Sequence, residues 1–381
     1  MRKTVLLPFI LMMICFQGCI PPNQIEDTAI INARGVDLIE VEGERIIETT
    51  IVPFLFDPNA EEMTNILVGR GKTIKGARED AAKQSSYLLS PGKINIEVYG
   101  KKAAEAGIMP FLNTLIRDAR VSDQIQLAVT NHTARELLEI ELETITINTT
   151  EYLQDLSAKE VEQDKLPNNT LIYYTRLVEQ VGIDPVLPII DIIDGLPTLV
   201  GVALFQYDKY VGSVTLDESF LINLLRKSVG ETPLNASVPA EAYEMSDDYH
   251  GEMTDEDLMH VFLNMKSGKG KLELVDEDEL TYKAKVTLKG EVLETSKPID
   301  FESEQVSKQL EGDIEDFFET QYEELFAKLQ ELQSDAFGLG RLYAATRKGS
   351  ETTHEEWREM FLDTTVDFEV DFKITNYGTI E

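Results

Sequence analysis

Residues 303–334 place the tightest limit on what this chain can fold into. Val306, Leu310, Ile314, Phe317, Phe318, Tyr322, Leu325, Leu329 and Leu332 recur at steps of three and four, the spacing that gathers apolar side chains on one side of an α-helix. A long helix is predicted there, ended by Gly338 and Gly340. Its companion lies near the C-terminus. Within 364–375, Val366, Phe368, Val370, Phe372 and Ile374 alternate strictly with other residues, the pattern of a strand with one buried face. Neither element can leave its apolar side in water, and each offers the other a matching surface. The helix is therefore expected to pack across the sheet that holds this strand. Docking of the helix face onto a separate protein is the competing reading, and the matching strand makes it the weaker one.

The rest of the chain alternates strands and helices, which points to an α/β (α+β) architecture of mixed sheets with flanking helices. Residues 29–37 and 45–54 read as a hairpin turning at Glu42-Gly43-Glu44, with β-branched Ile46, Ile47, Thr49, Thr50, Ile51 and Val52 in its second strand. A polar loop follows at 57–63. Helices are expected at 75–88, 103–118 (interrupted at Pro110), 133–140, 151–161, 170–181, 217–228 and around Trp357. Strands are expected at 94–99, 125–130, 186–193 and 200–207, and a hairpin at 270–275 and 282–293 turns over Asp276-Glu277-Asp278-Glu279. The polar, acidic stretch at 239–257 reads as a linker. The predicted organisation is a leader at 1–18, a spacer at 19–28, an N-terminal α/β domain at 29–184, a middle domain with linker at 185–245, and a C-terminal α/β domain at 246–381. Three domains are thus expected, the last with the long helix on its sheet.

The leader bears on where the chain works. Arg2 and Lys3 precede an apolar run at 5–16, which suits the core of a secretory signal and falls short of the roughly 20 residues that span a bilayer. Phe16-Gln17-Gly18-Cys19 resembles a bacterial lipobox, with Phe16 where leucine is usual. The resemblance implies cleavage after Gly18 and diacylglycerol on the sulfur of Cys19. An uncleaved anchor helix and a plain secretory signal are the alternatives. Cys15 and Cys19 are the only cysteines. Cys15 would leave with the leader, so the mature chain would own one thiol and no internal disulfide. The formal net charge is −34 at pH 7, and loss of Arg2 and Lys3 makes it two more negative. A surface this acidic argues against binding nucleic acid, whose phosphates need a basic patch. It argues equally against lying flat on anionic lipid, so the body is expected to stand off from the membrane with Cys19 as its attachment.

No catalytic constellation emerges, and no cofactor is expected. His132, His250, His260 and His354 are not at metal-ligand spacing, and no metal site is predicted. Gly69-Arg70-Gly71-Lys72 lacks the spacing of a phosphate loop and reads as a turn. Asp276 to Glu279 and Asp247-Asp248 do not match a calcium loop and read as a solvated turn and linker. Leu187, Pro188, Ile189, Ile190, Ile192 and Ile193 read as a core strand rather than an exposed patch. Arg117, Asp118 and Arg120 suit either a helix C-terminus complementing its dipole or a contact to a partner, and the former is favoured.

Several segments together resemble the Ger(x)C family, the C subunits of spore germinant receptors. They are Ile25-Glu26-Asp27-Thr28-Ala29 running to Arg34-Gly35-Val36-Asp37; Gly71-Lys72-Thr73-Ile74; Ala106-Gly107-Ile108 through Arg117-Asp118-Ala119-Arg120; and Ser334-Asp335-Ala336-Phe337-Gly338-Leu339-Gly340, followed by Trp357 and Asn376-Tyr377-Gly378. Family members usually carry Trp-Asp after the lipidated cysteine, where this chain has Ile20-Pro21. The resemblance implies a non-enzymatic three-domain lipoprotein, tethered through Cys19 to the outer leaflet of the spore inner membrane. It implies two partners there, a multi-spanning A subunit and a permease-like B subunit, that sense nutrients with it. A solute-binding lipoprotein of a transport system is the alternative function. It would need a cleft between two similar lobes, and no internal duplication is visible.

Overall fold

A computed structural model describes residues 28–54, 66–140, 148–243, 257–301, 303–346 and 352–377. The leader, Cys19, most of the spacer, the loop at 57–63, His250 and most of the linker lie outside the described residues.

Two sheets organise the chain. The first uses β1 (Thr28–Val41), β2 (Glu44–Phe54), β3 (Leu67–Gly71), β4 (Leu88–Ser90), β5 (Ile96–Gly100), β6 (Gln126–Thr130), β7 (Val186–Ile193), β8 (Leu196–Gln206) and β9 (Lys209–Val214). Their order is β3-β2-β1-β5-β6-β7-β8-β9, with β4 paired to the start of β1. β1, β5, β6 and β7 run parallel and antiparallel hairpins extend both sides. Between the strands run helices α1 (Ile74–Ala82), α2 (Lys101–Ala106), α3 (Met109–Ile116), α4 (Ala134–Leu138), α5 (Thr149–Glu162) and α6 (Leu171–Glu179). One face of the sheet is sealed with Ile74, Ala103, Leu112 and Tyr174 from α1, α2, α3 and α6. The other is sealed with Ala134, Leu137 and Leu153 from α4 and α5. Cover on both faces buries every residue of β5 although its sequence, Ile96-Glu97-Val98-Tyr99-Gly100, is not wholly apolar.

The second sheet has the order β10 (Thr232–Pro239), β11 (Leu258–Asp276), β12 (Thr281–Thr295) and β13 (Thr365–Tyr377). Helices α7 (Leu216–Arg226), α8 (Glu304–Glu331), α9 (Leu339–Thr346) and α10 (His354–Phe361) complete it. Local chemistry starts these helices. Thr215 with Glu218 and Thr353 with Glu356 form reciprocal capping boxes, each satisfying two otherwise orphaned N–H groups.

The long helix does pack on its sheet, as its periodicity predicts. Leu310, Ile314, Phe318, Tyr322, Leu325 and Leu329 are buried, and Tyr322 stacks on Phe368 of β13 with centroids 5.1 Å apart. The flank of α8 beside that buried face has a second use. Glu319, Glu315 and Glu311 accept backbone N–H bonds from Val370, Phe372 and Ile374 at 2.9, 2.8 and 2.9 Å. Four helical residues advance about 6.0 Å and two strand residues about 6.6 Å, so one carboxylate meets each of three successive outward N–H groups of the edge strand. The otherwise open edge, a site for unwanted pairing, is thereby occupied.

Three local readings differ from the structure. Residues 69–71 are not a turn but the edge strand β3, because α1 packs directly on it: a Cβ at Gly69 would lie 2.1 Å from the Ala77 carbonyl oxygen. The helix expected at 75–88 ends at Ala82, and β4 follows. Gly338 and Gly340 do not close the region after α8 but lead into α9. The stretch expected as a middle domain, 185–245, is shared between the sheets: β7, β8 and β9 extend the first through Val129 opposite Ile189, and β10 opens the second.

A buried joint and a basic cleft as candidate functional sites

The two sheets meet at a polar joint inside one apolar core, which includes Val202 and Leu204 of β8, Phe220 of α7, and Phe326 and Phe337 from the C-terminal half. Asp335 is its centre. Its carboxylate accepts N–H bonds from Gly338 at 2.7 Å, Leu339 at 3.0 Å, Gly340 at 2.9 Å and the Trp357 indole at 3.0 Å. The Asp335 N–H donates to Asp184 at 2.8 Å, and Asp184 also accepts from Tyr207 N–H. Ser334 Oγ donates to the Phe205 carbonyl, and Arg226 donates to the carbonyls of Ala336 and Asp184. Burial pushes both carboxyls up, Asp184 to about 6, against the lowering effect of the N–H donors. The backbone at Gly340 approaches Gly182 and the Trp357 ring so closely that a Cβ there would sit 2.2 Å from the indole. A joint this filled holds its two halves as one unit and leaves no room for a solute between them.

A second polar group anchors the first sheet. Arg34 pairs bidentately with Glu97 at 2.9 and 2.8 Å, both buried, and Tyr99 donates to the same carboxylate. Asp37 accepts the first N–H groups of α4, Ala134 at 2.8 Å and Arg135 at 3.0 Å. Burial still lifts its carboxyl to about 6.

The residues flagged at 117–120 prove to rim a cavity of about 400 Å³ between the start of β1, α1 and the end of α3. Arg34, Lys75, Arg78, Arg117 and Arg120 line it, and Asp118 is the one acid among the described lining residues. Arg120 grips Asp118 at 2.9 and 2.7 Å, and those bonds hold the Asp118 carboxyl down at about 2. Arg117 caps the C-terminus of α3, consistent with the dipole reading. What the local sequence did not show is that Arg34, Lys75 and Arg78 from two other elements converge on the same space.

The remaining flagged residues fall elsewhere. His132 Nε2 lies 3.0 Å from Asp191, His354 packs edge-on against Tyr207, and His260 pairs with Ser237. Among the described residues no group of three or more His, Cys, Asp or Glu is placed to hold a metal. The Asp276 carboxylate accepts the N–H groups of Asp278 and Glu279 within the hairpin turn. Val186 to Ile190 are buried in β7 as expected of a core strand, whereas Ile192 is half-buried and Ile193 is exposed at the end of the strand. No described helix is long and apolar enough to cross a membrane.

Residues 22–192 match the model of the spore germination protein N-terminal domain, and residues 200–378 match that of the spore germination B3/GerAC-like C-terminal domain. The chain belongs to the Ger(x)C family. It is similar to spore germination protein GerQC of Bacillus cereus, 23% identical with both chains covered over their full length. The fold is that of the solved GerBC protein, with a TM-score of 0.56 at 16% identity, covering 90% of this chain and 97% of that one. The Ger(x)C segments now have physical reasons. Arg34 and Asp37 anchor β1 to β5 and α4, Thr73 caps α1, the end of the third segment from Asn113 to Arg120 lines the cleft, and 334–340 with Trp357 make the joint.

Proposed function

We propose that this chain is the C subunit of a nutrient germinant receptor, a non-catalytic lipoprotein that acts in spore germination through protein contacts. The end-to-end correspondence with GerQC across both domain models carries the reading. Diacylglycerol on Cys19 tethers the chain to the outer leaflet of the spore inner membrane, beside a multi-spanning A subunit and a permease-like B subunit. Confinement to a surface raises the effective concentration of each partner for the others. The unit carrying those contacts is stiffened by the joint at Asp335, so a displacement at one sheet is passed to the other. The filled joint also disfavours a solute-binding lipoprotein, which needs an open cleft between lobes. The test is affinity purification of the tagged chain from detergent-solubilised dormant-spore membranes. Co-purification of one multi-spanning and one permease-like protein is the expected result. Recovery of the chain alone under conditions that keep other membrane complexes intact would refute it.

A further inference from the structure

The basic cleft is out of character for this chain. Acidic residues outnumber basic ones 69 to 35, yet five cations and one acid line a single cavity. Two of those charges are already matched, Arg34 by Glu97 and Arg120 by Asp118. The others are available. Among the described residues Lys75 and Arg117 have no ion-pair partner, and Arg78 has Glu79 at 3.5 Å on the exposed side of its own helix and a longer-range attraction to Asp118, which Arg120 already holds. Clustered cations without counter-charges repel one another, and an anion held between them removes that repulsion. Guanidinium groups also match the oxygen pattern of phosphate.

Position selects the source of the anion. The cleft begins at Ile31, three residues after Thr28, where β1 starts. Cys19 is nine residue steps before Thr28, a reach of at most about 30 Å. Two large apolar side chains stand open beside it along the chain: Leu88, 56% exposed, in the strand leading to Pro91, and Ile116, 47% exposed, next to Arg117. A basic cleft with exposed apolar side chains close to it in sequence suits a headgroup–acyl boundary better than free solution.

We propose that this cleft binds the phosphate of an anionic phospholipid headgroup, through Lys75, Arg78 and Arg117, and so sets the orientation of the tethered body on the membrane. The proposal rests on the Cys19 tether for its proximity. It revises the view that an acidic body simply stands clear of anionic lipid, since one face docks while the rest is repelled.

The test places the whole chain in nanodiscs of phosphatidylcholine, with or without phosphatidylglycerol, carrying a polarity-sensitive dye on Ala119→Cys at the cleft rim. The native chain, labelled in parallel, reports the tether separately: a lipidated Cys19 takes up no dye, and its signal is subtracted if it does. The expected result is a blue shift that appears only with phosphatidylglycerol and is lost in Arg78→Glu/Arg117→Glu. Far-UV circular dichroism checks the fold of that variant, and the exposed Lys75→Glu alone should weaken the shift. No phosphatidylglycerol-dependent shift overturns the proposal and leaves the tether standing. An equal shift in phosphatidylcholine discs on adding sn-glycerol 3-phosphate also overturns it, because the ligand would then be soluble phosphate.

Discussion

Replacing Asp335 with alanine should unfold this protein more readily than any other single-carboxylate change. The substitution leaves four buried N–H donors without an acceptor: those of Gly338, Leu339, Gly340 and the Trp357 indole. An orphaned buried donor costs about 1–3 kcal/mol, so four at ~2 each total ~8 kcal/mol. Release of one buried carboxylate returns several kcal/mol, which leaves a net loss of about 4 kcal/mol, a large part of the ~5–15 kcal/mol typical of a domain. Asp335→Asn keeps one oxygen for two of the donors, so about half that loss is expected. Trp357 is the only tryptophan and sits in the network, so its fluorescence during urea denaturation reads the joint while far-UV circular dichroism reads the whole chain. A loss under about 1 kcal/mol for Asp335→Ala, or equal losses for both variants, would refute the reasoning.

Further outcomes follow from other parts of the fold. Glu311→Ala/Glu315→Ala/Glu319→Ala frees the edge of β13, costing about 1 kcal/mol per lost bond. Amide exchange at Val370, Phe372 and Ile374 should rise by at least tenfold, and unchanged protection would contradict the edge-capping account. Stability should fall as pH rises from 5 to 7.5. Asp37 and Asp184 have carboxyls lifted to about 6, above their unfolded values, so the stabilisation of the protonated form is complete below about 4 and is lost as pH rises through 6. Asp184→Asn should flatten this trend, and a thermal midpoint that climbs over the same interval would count against it. Gly69→Ala should lower stability by about 3 kcal/mol or more through overpacking against α1, whereas Gly43→Ala, whose Cβ meets nothing within 4 Å, should cost less; equal effects would contradict the close-approach argument.

How much of this was legible depended on whether a residue's role is local. The pattern at 303–334 and the alternation at 364–375 announce a helix and a half-buried strand because periodicity is written along the chain. Hairpin turns at Glu42-Gly43 and Asp276–Glu279 were readable for the same reason. β3 was not, because Gly69 and Gly71 resemble turn residues until α1 is laid against them. Nothing in 185–193 says that Ile189 pairs with Val129, sixty residues earlier, so the partition of 185–245 between two sheets was hidden. Arg117, Asp118 and Arg120 stood out as a charged cluster, but Arg34, Lys75 and Arg78 join them only through folding. Asp335 gave no sign of its four donors beyond the glycines that follow it.

The tether is the claim on which the receptor-subunit account leans most, and mass spectrometry of the chain recovered from spore membranes tests it directly. The account predicts an N-terminal peptide beginning at Cys19 with the mass of a diacylglyceryl group on its sulfur. A peptide beginning at Met1, or a Cys19 carrying a free thiol, would contradict it.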